Sequence, residues 1–372
     1  MRHVAALAGV GIKTVSRVIN GEPNVSPATV ARVREAARTL DYQPDLHAGN
    51  LRRADGRTRT LGLLVGSVDN PFAGSVHRAV EDAALRRGVA VFASSLDDDP
   101  DREQASVSAF LSRRVDGLIL TTVSDSQAYL APELRRGTPI VFVDREPAGV
   151  SSDVVVSDNA EGAAAATGHL IEHGHRRIAY LGDRSRIQTA RERRRGFLEE
   201  LGRAGVATRD LPMVLELHDE ASAYEATVAL LSQPDPPTAV FSSQNLVTIG
   251  AIRALRELGR HLDTALVGFD DVPLADLLEP GVTVVAQDPY AIGRIAAERI
   301  FARLDGDDSP AARTVVPTTL IERGSGEIPR EQADGCPSTP TNHAPASPSS
   351  ATPSSTSCAT RPAPASSSAG PR

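Results

Sequence analysis

Residues 4–21 read VAALAGVGIKTVSRVING, and this run decides what heads the chain. Val4, Leu7 and Ala8 form an apolar stripe at helical spacing, which Gly9 interrupts. Val15, Val18 and Ile19 form a second stripe, and Asn20-Gly21 is a stop signal for it. Ser26-Pro27 starts a third helix, since Ser can cap the free N–H groups and Pro suits the first turn. Val30, Val33, Ala37 and Leu40 keep helical spacing up to Asp41, and Pro44 ends any helix. Helix, glycine turn, helix is the geometry of the helix-turn-helix, whose second helix enters the major groove of DNA. Here that helix offers Ile12, Lys13, Thr14, Ser16 and Arg17 on or near its exposed side. Lys and Arg can donate to guanine O6 and N7, and Ile can touch a thymine methyl. Thr14 and Ser16 are natural phosphate donors. Any helical hairpin with a glycine turn looks similar, so the run alone leaves the motif open.

Charge points the same way. The 372 residues carry a net −7, yet residues 1–60 hold ten basic side chains against five acidic ones, and the remainder is net −12. A small basic head on an acidic body suggests that only the head meets a polyanion. Hydrophobic residues at 41% and charged residues at 23% fit a globular protein and exclude a wholly disordered chain or a collagen. With 3% aromatics and no Trp, the core must be built from Ala, Val, Leu and Ile. Both cysteines, Cys336 and Cys358, lie in a C-terminal stretch. The body therefore has no disulfide and no thiolate, as expected for a cytoplasmic protein. No apolar run approaches a membrane span, and the start reads as mature sequence rather than a signal peptide.

After a basic segment at residues 46–60, holding Arg52, Arg53, Arg57 and Arg59, strands alternate with helices. Leu61–Val65, Val89–Phe92, Gly117–Leu120 and Ile140–Val143 read as strands, with helices over Phe72–Arg87 and Arg102–Leu111. A second set takes strands Ile178–Leu181, Met213–Leu217, Ala239–Phe241 and Ala265–Phe269, with helices over Ala190–Leu201, Ala221–Leu231 and Leu246–Leu258. Apolar strands separated by helices predict α/β architecture, with parallel sheets covered on both faces. Two sets predict two lobes with a ligand crevice at the carboxyl ends of the strands. From Cys336 to Arg372, 30 of 37 residues are Pro, Ser, Thr or Ala, the composition of a disordered tail.

The head run, with Val25-Ser26 and residues 40–44 (LDYQP), resembles the DNA-binding head of LacI/GalR-family transcriptional regulators. Further landmarks follow in order: Asp69–Phe72, Arg114–Leu120, Gly174–Ile178, Arg191–Arg193 with Gly196-Phe197, Val267–Asp270, Gln287 and Leu320–Ser325. The resemblance reaches about residue 328. It implies a helix-turn-helix head (1–44), a hinge helix and linker (45–60) and a two-lobed body like a type I periplasmic binding protein (61–328). The first lobe would take about 61–158 plus 288–312, and the second about 159–287 plus 313–328; a disordered tail occupies 329–372.

The roles implied are those of a repressor of operator DNA, roughly palindromic and bound by a homodimer. Ile12, Lys13 and Arg17 would face base edges, with Thr14, Ser16 and Asn20 beside them. Leu51 matches the leucine that wedges into the minor groove, and Arg52 would neutralise phosphate nearby; such a wedge kinks DNA. Phe72, Thr121, Asp144, Arg145, Arg193, His218, Gln244, Asp270 and Gln287 match effector-cleft positions. Charge-assisted hydrogen bonds from Asp144, Arg193 and Asp270, with Phe72 as an apolar face, suit a polyol. A sugar or sugar derivative is expected, with a purine as the alternative.

The departures bear on DNA binding. His3 stands where Asp is common, and relatives usually have several more residues before the first helix, so the true start is expected upstream. Gly11 replaces the usual Ser cap, Gly49 lies inside the hinge, and Asp45 replaces an Asn near the phosphates.

Other motifs read as decoys. His169-Leu-Ile-Glu-His173 matches an H-x-x-E-H zinc pattern without an evident third ligand. Gly9–Thr14 imitates a phosphate loop without the Gly-Lys pair or a preceding strand. Asp97-Asp98-Asp99 reads as a solvated loop. No nucleophile elbow or acid/base pair is assignable, so no enzyme, cofactor or metal is expected. The rival is a two-lobed sugar-binding receptor without effective DNA binding.

Overall fold

The computed structural model of the chain describes residues 1–19, 22–42 and 56–330. Asn20, Asp45, Gly49, Leu51, Arg52 and the tail lie outside the described residues.

Three short helices make the head: α1 (Arg2–Ala8), α2 (Ile12–Ile19) and α3 (Pro27–Thr39). Their shared core is Val4, Ala5, Ala8, Val15, Val18, Val33 and Ala36. Gly9 turns the chain after α1 in the left-handed conformation, φ 62°, and its N–H returns to the carbonyls of Ala5 and Ala6. Ser26 caps α3, its hydroxyl accepting from the Thr29 N–H at 3.3 Å. The expected apolar stripes shift slightly. Leu7 and Leu40 are exposed, while Ala5 and Ala36 turn inward. So small a core closes on the narrow side of each helix, and alanine allows the close approach.

The body carries two six-stranded sheets. In the first lobe, β1 (Thr60–Val65), β2 (Ala90–Ser95), β3 (Gly117–Leu120), β4 (Ile140–Val143) and β5 (Asp153–Ser157) are joined by β11 (Arg313–Val316), in the order β11-β5-β4-β3-β1-β2. All its neighbours pair in parallel. In the second lobe, β6 (Ile178–Leu181), β7 (Met213–Val214), β8 (Ala239–Ser242), β9 (Ala265–Phe269), β10 (Thr283–Ala286) and β12 (Thr319–Ile321) run β12-β10-β9-β8-β6-β7, with only β12 antiparallel.

Helices α4 (Pro71–Arg86), α5 (Pro100–Ser112), α6 (Ala131–Arg135) and α11 (Pro289–Leu304) belong to the first lobe. Helices α7 (Asn159–Glu172), α8 (Gln188–Arg203), α9 (Glu220–Leu231) and α10 (Asn245–Glu257) belong to the second. Each sheet has an apolar cluster on both faces, which explains strands that read as continuous apolar runs.

The chain crosses between lobes three times, after β5, after β10 and between β11 and β12. The last crossing comes at Pro317-Thr318, later than the expected 312–313, because Arg313–Val316 pairs with β5. Asp158, at the first crossing, accepts the Thr318 N–H at 2.7 Å and ties it to the third. The expected strand Met213–Leu217 pairs only over its first two residues. Glu216 at φ 67° then turns the chain, and Leu217 enters the second lobe's core. No helix among the described residues is long and apolar enough to cross a membrane.

Candidate ligand cleft and nucleic-acid interface

Parallel strands deliver their following loops to one edge of each sheet, and the two edges face each other across a cavity of about 450 Å³. Asp144 follows β4 and Asp270 follows β9, the same position in each lobe. Both adopt the left-handed backbone conformation, φ 68° and 69°. Both N–H groups bond the neighbouring strand, Asp144 to Val155 O at 3.0 Å and Asp270 to Val285 O at 2.8 Å. A left-handed aspartate is among the less strained non-glycine choices. Each sheet thus ends by turning a carboxylate into the cleft.

Arg193, from α8, is buried beneath Asp270. Its Nε donates to Asn159 Oδ1 at 2.7 Å and its Nη1 to Ser243 O at 2.8 Å. The guanidinium lies 3.8 Å from the centre of the Phe269 ring and 3.8 Å from an Asp270 oxygen. Gln287, on the second crossing, donates to Asp270 at 2.5 Å. Arg145 donates to Asp98 at 3.0 Å and to Thr122 O at 3.2 Å. Two buried atoms here, Arg145 Nε and Gln287 Oε1, have no hydrogen-bond partner among the described residues. Both residues line the cavity.

Eight of the nine expected cleft residues line this cavity together: Phe72, Asp144, Arg145, Arg193, His218, Gln244, Asp270 and Gln287. Thr121 does not; it lines a smaller adjoining cavity of about 80 Å³ with Phe72, Asp144 and Arg145. Gln244 also caps α10, its Oε1 accepting the Leu246 N–H at 2.7 Å. His218 has both ring nitrogens on carboxylates, Nδ1 at 2.7 Å from Asp183 and Nε2 at 3.2 Å from Asp98 of the opposite lobe.

Asp98 is the residue that sequence reading missed. The Asp97–Asp99 run is no solvated loop, because Asp98 is buried and meets Arg145, His218 and Arg184. Burial opposes its ionisation, but Arg145 and then His218 and Arg186 outweigh that and hold its carboxyl below the usual range. Positive φ at Asp97 and Asp98 turns it inward, and Asp99 instead caps α5 through the Asp101 N–H at 2.9 Å. Asp144 lies on the other side of this balance. Burial raises its pKa, and Arg145 and Arg193 offset that only partly.

Two uncharged contacts also join the lobes. Asn245 donates to Asn70 at 2.8 Å and Asn70 donates back at 3.3 Å. The Glu146 N–H donates to Gln188 Oε1 at 2.8 Å.

On the head, α2 buries Val15 and Val18 and exposes Ile12, Lys13 and Arg17, with Thr14 and Ser16 half-buried. Arg17 approaches Glu22 at 3.8 Å, both largely exposed. At the other end of the body, His169 bonds Glu327 at 2.6 Å, and the His173 Nδ1 lies 2.9 Å from His169 O. The two histidines of the H-x-x-E-H run thus bond to Glu327 and within their own helix end.

Residues 1–45 match the model of bacterial regulatory proteins, lacI family, and residues 167–326 match that of a periplasmic binding protein-like domain. The transcriptional regulator PtxS of Pseudomonas aeruginosa is 36% identical over 334 residues, covering 87% of this chain and 95% of that protein. The ribose operon repressor of Escherichia coli is 32% identical over 328 residues, covering 87% and 99%. Among solved structures, the lac repressor dimer bound to operator and the anti-inducer ONPF superposes with a TM-score of 0.77 at 25% identity, covering 87% and 97%. A complex of the regulator CelR with cellobiose superposes at 0.63 with 33% identity, covering 87% and 98%.

Proposed function

Because the chain belongs to the lacI family of bacterial regulatory proteins and is a transcriptional regulator of that kind, we propose that α2 reads operator DNA while the interlobe cleft binds a sugar that sets operator affinity. Ile12, Lys13 and Arg17 lie on the exposed side of α2, where base edges would be read. Thr14 and Ser16 would position the helix on phosphates. Asn20, Leu51 and Arg52 complete the DNA-binding set by family resemblance alone.

The observation that carries the ligand reading is the convergence of Asp144 with Arg145 and Asp270 with Arg193 from opposite lobes. Carboxylate and guanidinium at fixed spacing match vicinal hydroxyls, which donate and accept at once. A sugar is favoured over a purine because Phe72 is the only Phe, Tyr or Trp among the described residues lining the cavity, and the other ring there, His218, is held between two carboxylates. A ligand touching both lobes stabilises the closed arrangement, and any closure-dependent shift in the heads then changes DNA affinity reciprocally.

The assembly that suits this is a homodimer. Among the described residues nothing pairs with the outer edge of β2, and Phe92 on it and Leu85 on α4 are exposed. Head, hinge and two-lobed body are taken to divide near residues 44 and 60. The test is selection of bound sequences from random duplex DNA by the full chain. A roughly palindromic site with an easily kinked central step is expected. Absence of enrichment would favour the receptor without DNA binding.

A further inference from the structure

The sugar reading leaves open which sugars enter. We propose that the cleft sorts hydroxylated ligands by charge, taking an uncharged polyol and rejecting its carboxylated or phosphorylated counterpart, with Asp144 as the residue that sets the distinction. This rests on the sugar reading and adds to it.

The cavity is lined by seven aspartates against three arginines. An anionic ligand needs a cation to receive it, and each of these arginines already has an aspartate oxygen within 4 Å. Arg193 is buried with its Nε on Asn159, its Nη1 on Ser243 O and its face on Phe269, and Asp270 lies beside it. Arg145 is held by Asp98 and Thr122 O and stands 3.6 Å from Asp144. Arg184 lies 3.7 Å from Asp98. A carboxylate or phosphate would therefore be desolvated beside a surplus of like charge.

The groups left open point to hydroxyls. No described residue donates a hydrogen bond to the Asp144 carboxylate, and its side chain is only 14% exposed. Among the described residues, Gln287 Oε1 is a buried acceptor without a hydrogen-bond partner and Arg145 Nε a buried donor without one. Two acceptors and one donor suit a ligand that both gives and receives protons without carrying charge. Burial raises the Asp144 pKa, and a hydroxyl donating to the ionised carboxylate would oppose that shift.

The experiment measures affinity and unfolding midpoint of the full chain with matched pairs: D-ribose with ribose 5-phosphate, D-glucose with glucuronate, D-galactose with galacturonate, cellobiose with cellobionate. Ionic strength is held constant. At least one neutral sugar is expected to raise the midpoint, and its anion to bind about tenfold more weakly or worse. Asp144→Asn should narrow that gap; the wild-type preference tests the charge rule even where this variant folds poorly. An anion that binds as tightly as its neutral partner overturns the charge rule and leaves the sugar reading standing. No midpoint shift from any neutral sugar at tens of millimolar contradicts the sugar reading itself, and the charge rule with it.

Discussion

The two lobes are built on one plan and finish it differently. In each, the first strand to enter sits between the second and the third, and the fourth ends in a left-handed aspartate bonded to the fifth. Asp270 has Gln287 donating to it and Arg193 beneath it. Asp144 has an arginine at 3.6 Å and no described hydrogen-bond donor. The second lobe is therefore preorganised, whereas the first presents an incompletely satisfied carboxylate. Repeated backbone geometry places the charges, and the side chains around them decide which carboxylate is left with open hydrogen-bonding capacity.

The sharpest way to break this comparison is at Asp98, which belongs to the first lobe but reaches the second through His218 and Arg184. Asp98→Ala removes the carboxylate that buried Arg145 hydrogen-bonds and leaves it only Asp144 at 3.6 Å, and a loss of about 3 kcal/mol in unfolding free energy is expected. The pH dependence has a definite sign. A carboxyl held below its ordinary value contributes above its unfolded pKa, near 3.8, and that contribution is lost as pH falls through the lower folded value. The gap between wild type and variant should thus persist at neutral pH and shrink in acid. Denaturant titration at neutral pH and near pH 3 checks it; a gap that widens in acid would contradict the ion-pair account.

A smaller effect separates the helix layers. A Cβ at Gly196 would stand 2.0 Å from Ala160 O, and one at Gly293 would stand 2.5 Å from Val76 O. Gly196→Ala should lower stability by about 1–3 kcal/mol even after the gain in helix propensity, and Gly293→Ala by less. Thermal unfolding of the two variants ranks them, and the reverse order would mean that the second lobe's helices separate more easily than their contact suggests.

Much of this plan is legible in the sequence because it rests on periodicity. The apolar runs at Leu61–Val65, Ile140–Val143 and Ala265–Phe269 are the strands, and the aspartates after the latter two are where the chain turns into the cleft. What was not legible depends on local turns and distant partners. Asp98 looks like its neighbours until positive φ points it inward toward Arg145, 47 residues away. Arg313–Val316 carries a charge and only a short apolar run, yet pairing with β5 places it in the first sheet. Leu7 has the spacing of a core residue, but the head's core closes on Ala5.

The central claim is that a ligand in this cleft and DNA on α2 are linked. The most direct measurement titrates a neutral sugar that stabilises the chain against its complex with the selected duplex, for wild type and Asp270→Ala. The wild type should change DNA affinity by about 5–150-fold, a coupling of about 1–3 kcal/mol, while Asp270→Ala should bind the duplex normally and show no change. A variant that responds to the sugar as the wild type does would contradict the assignment of the cleft.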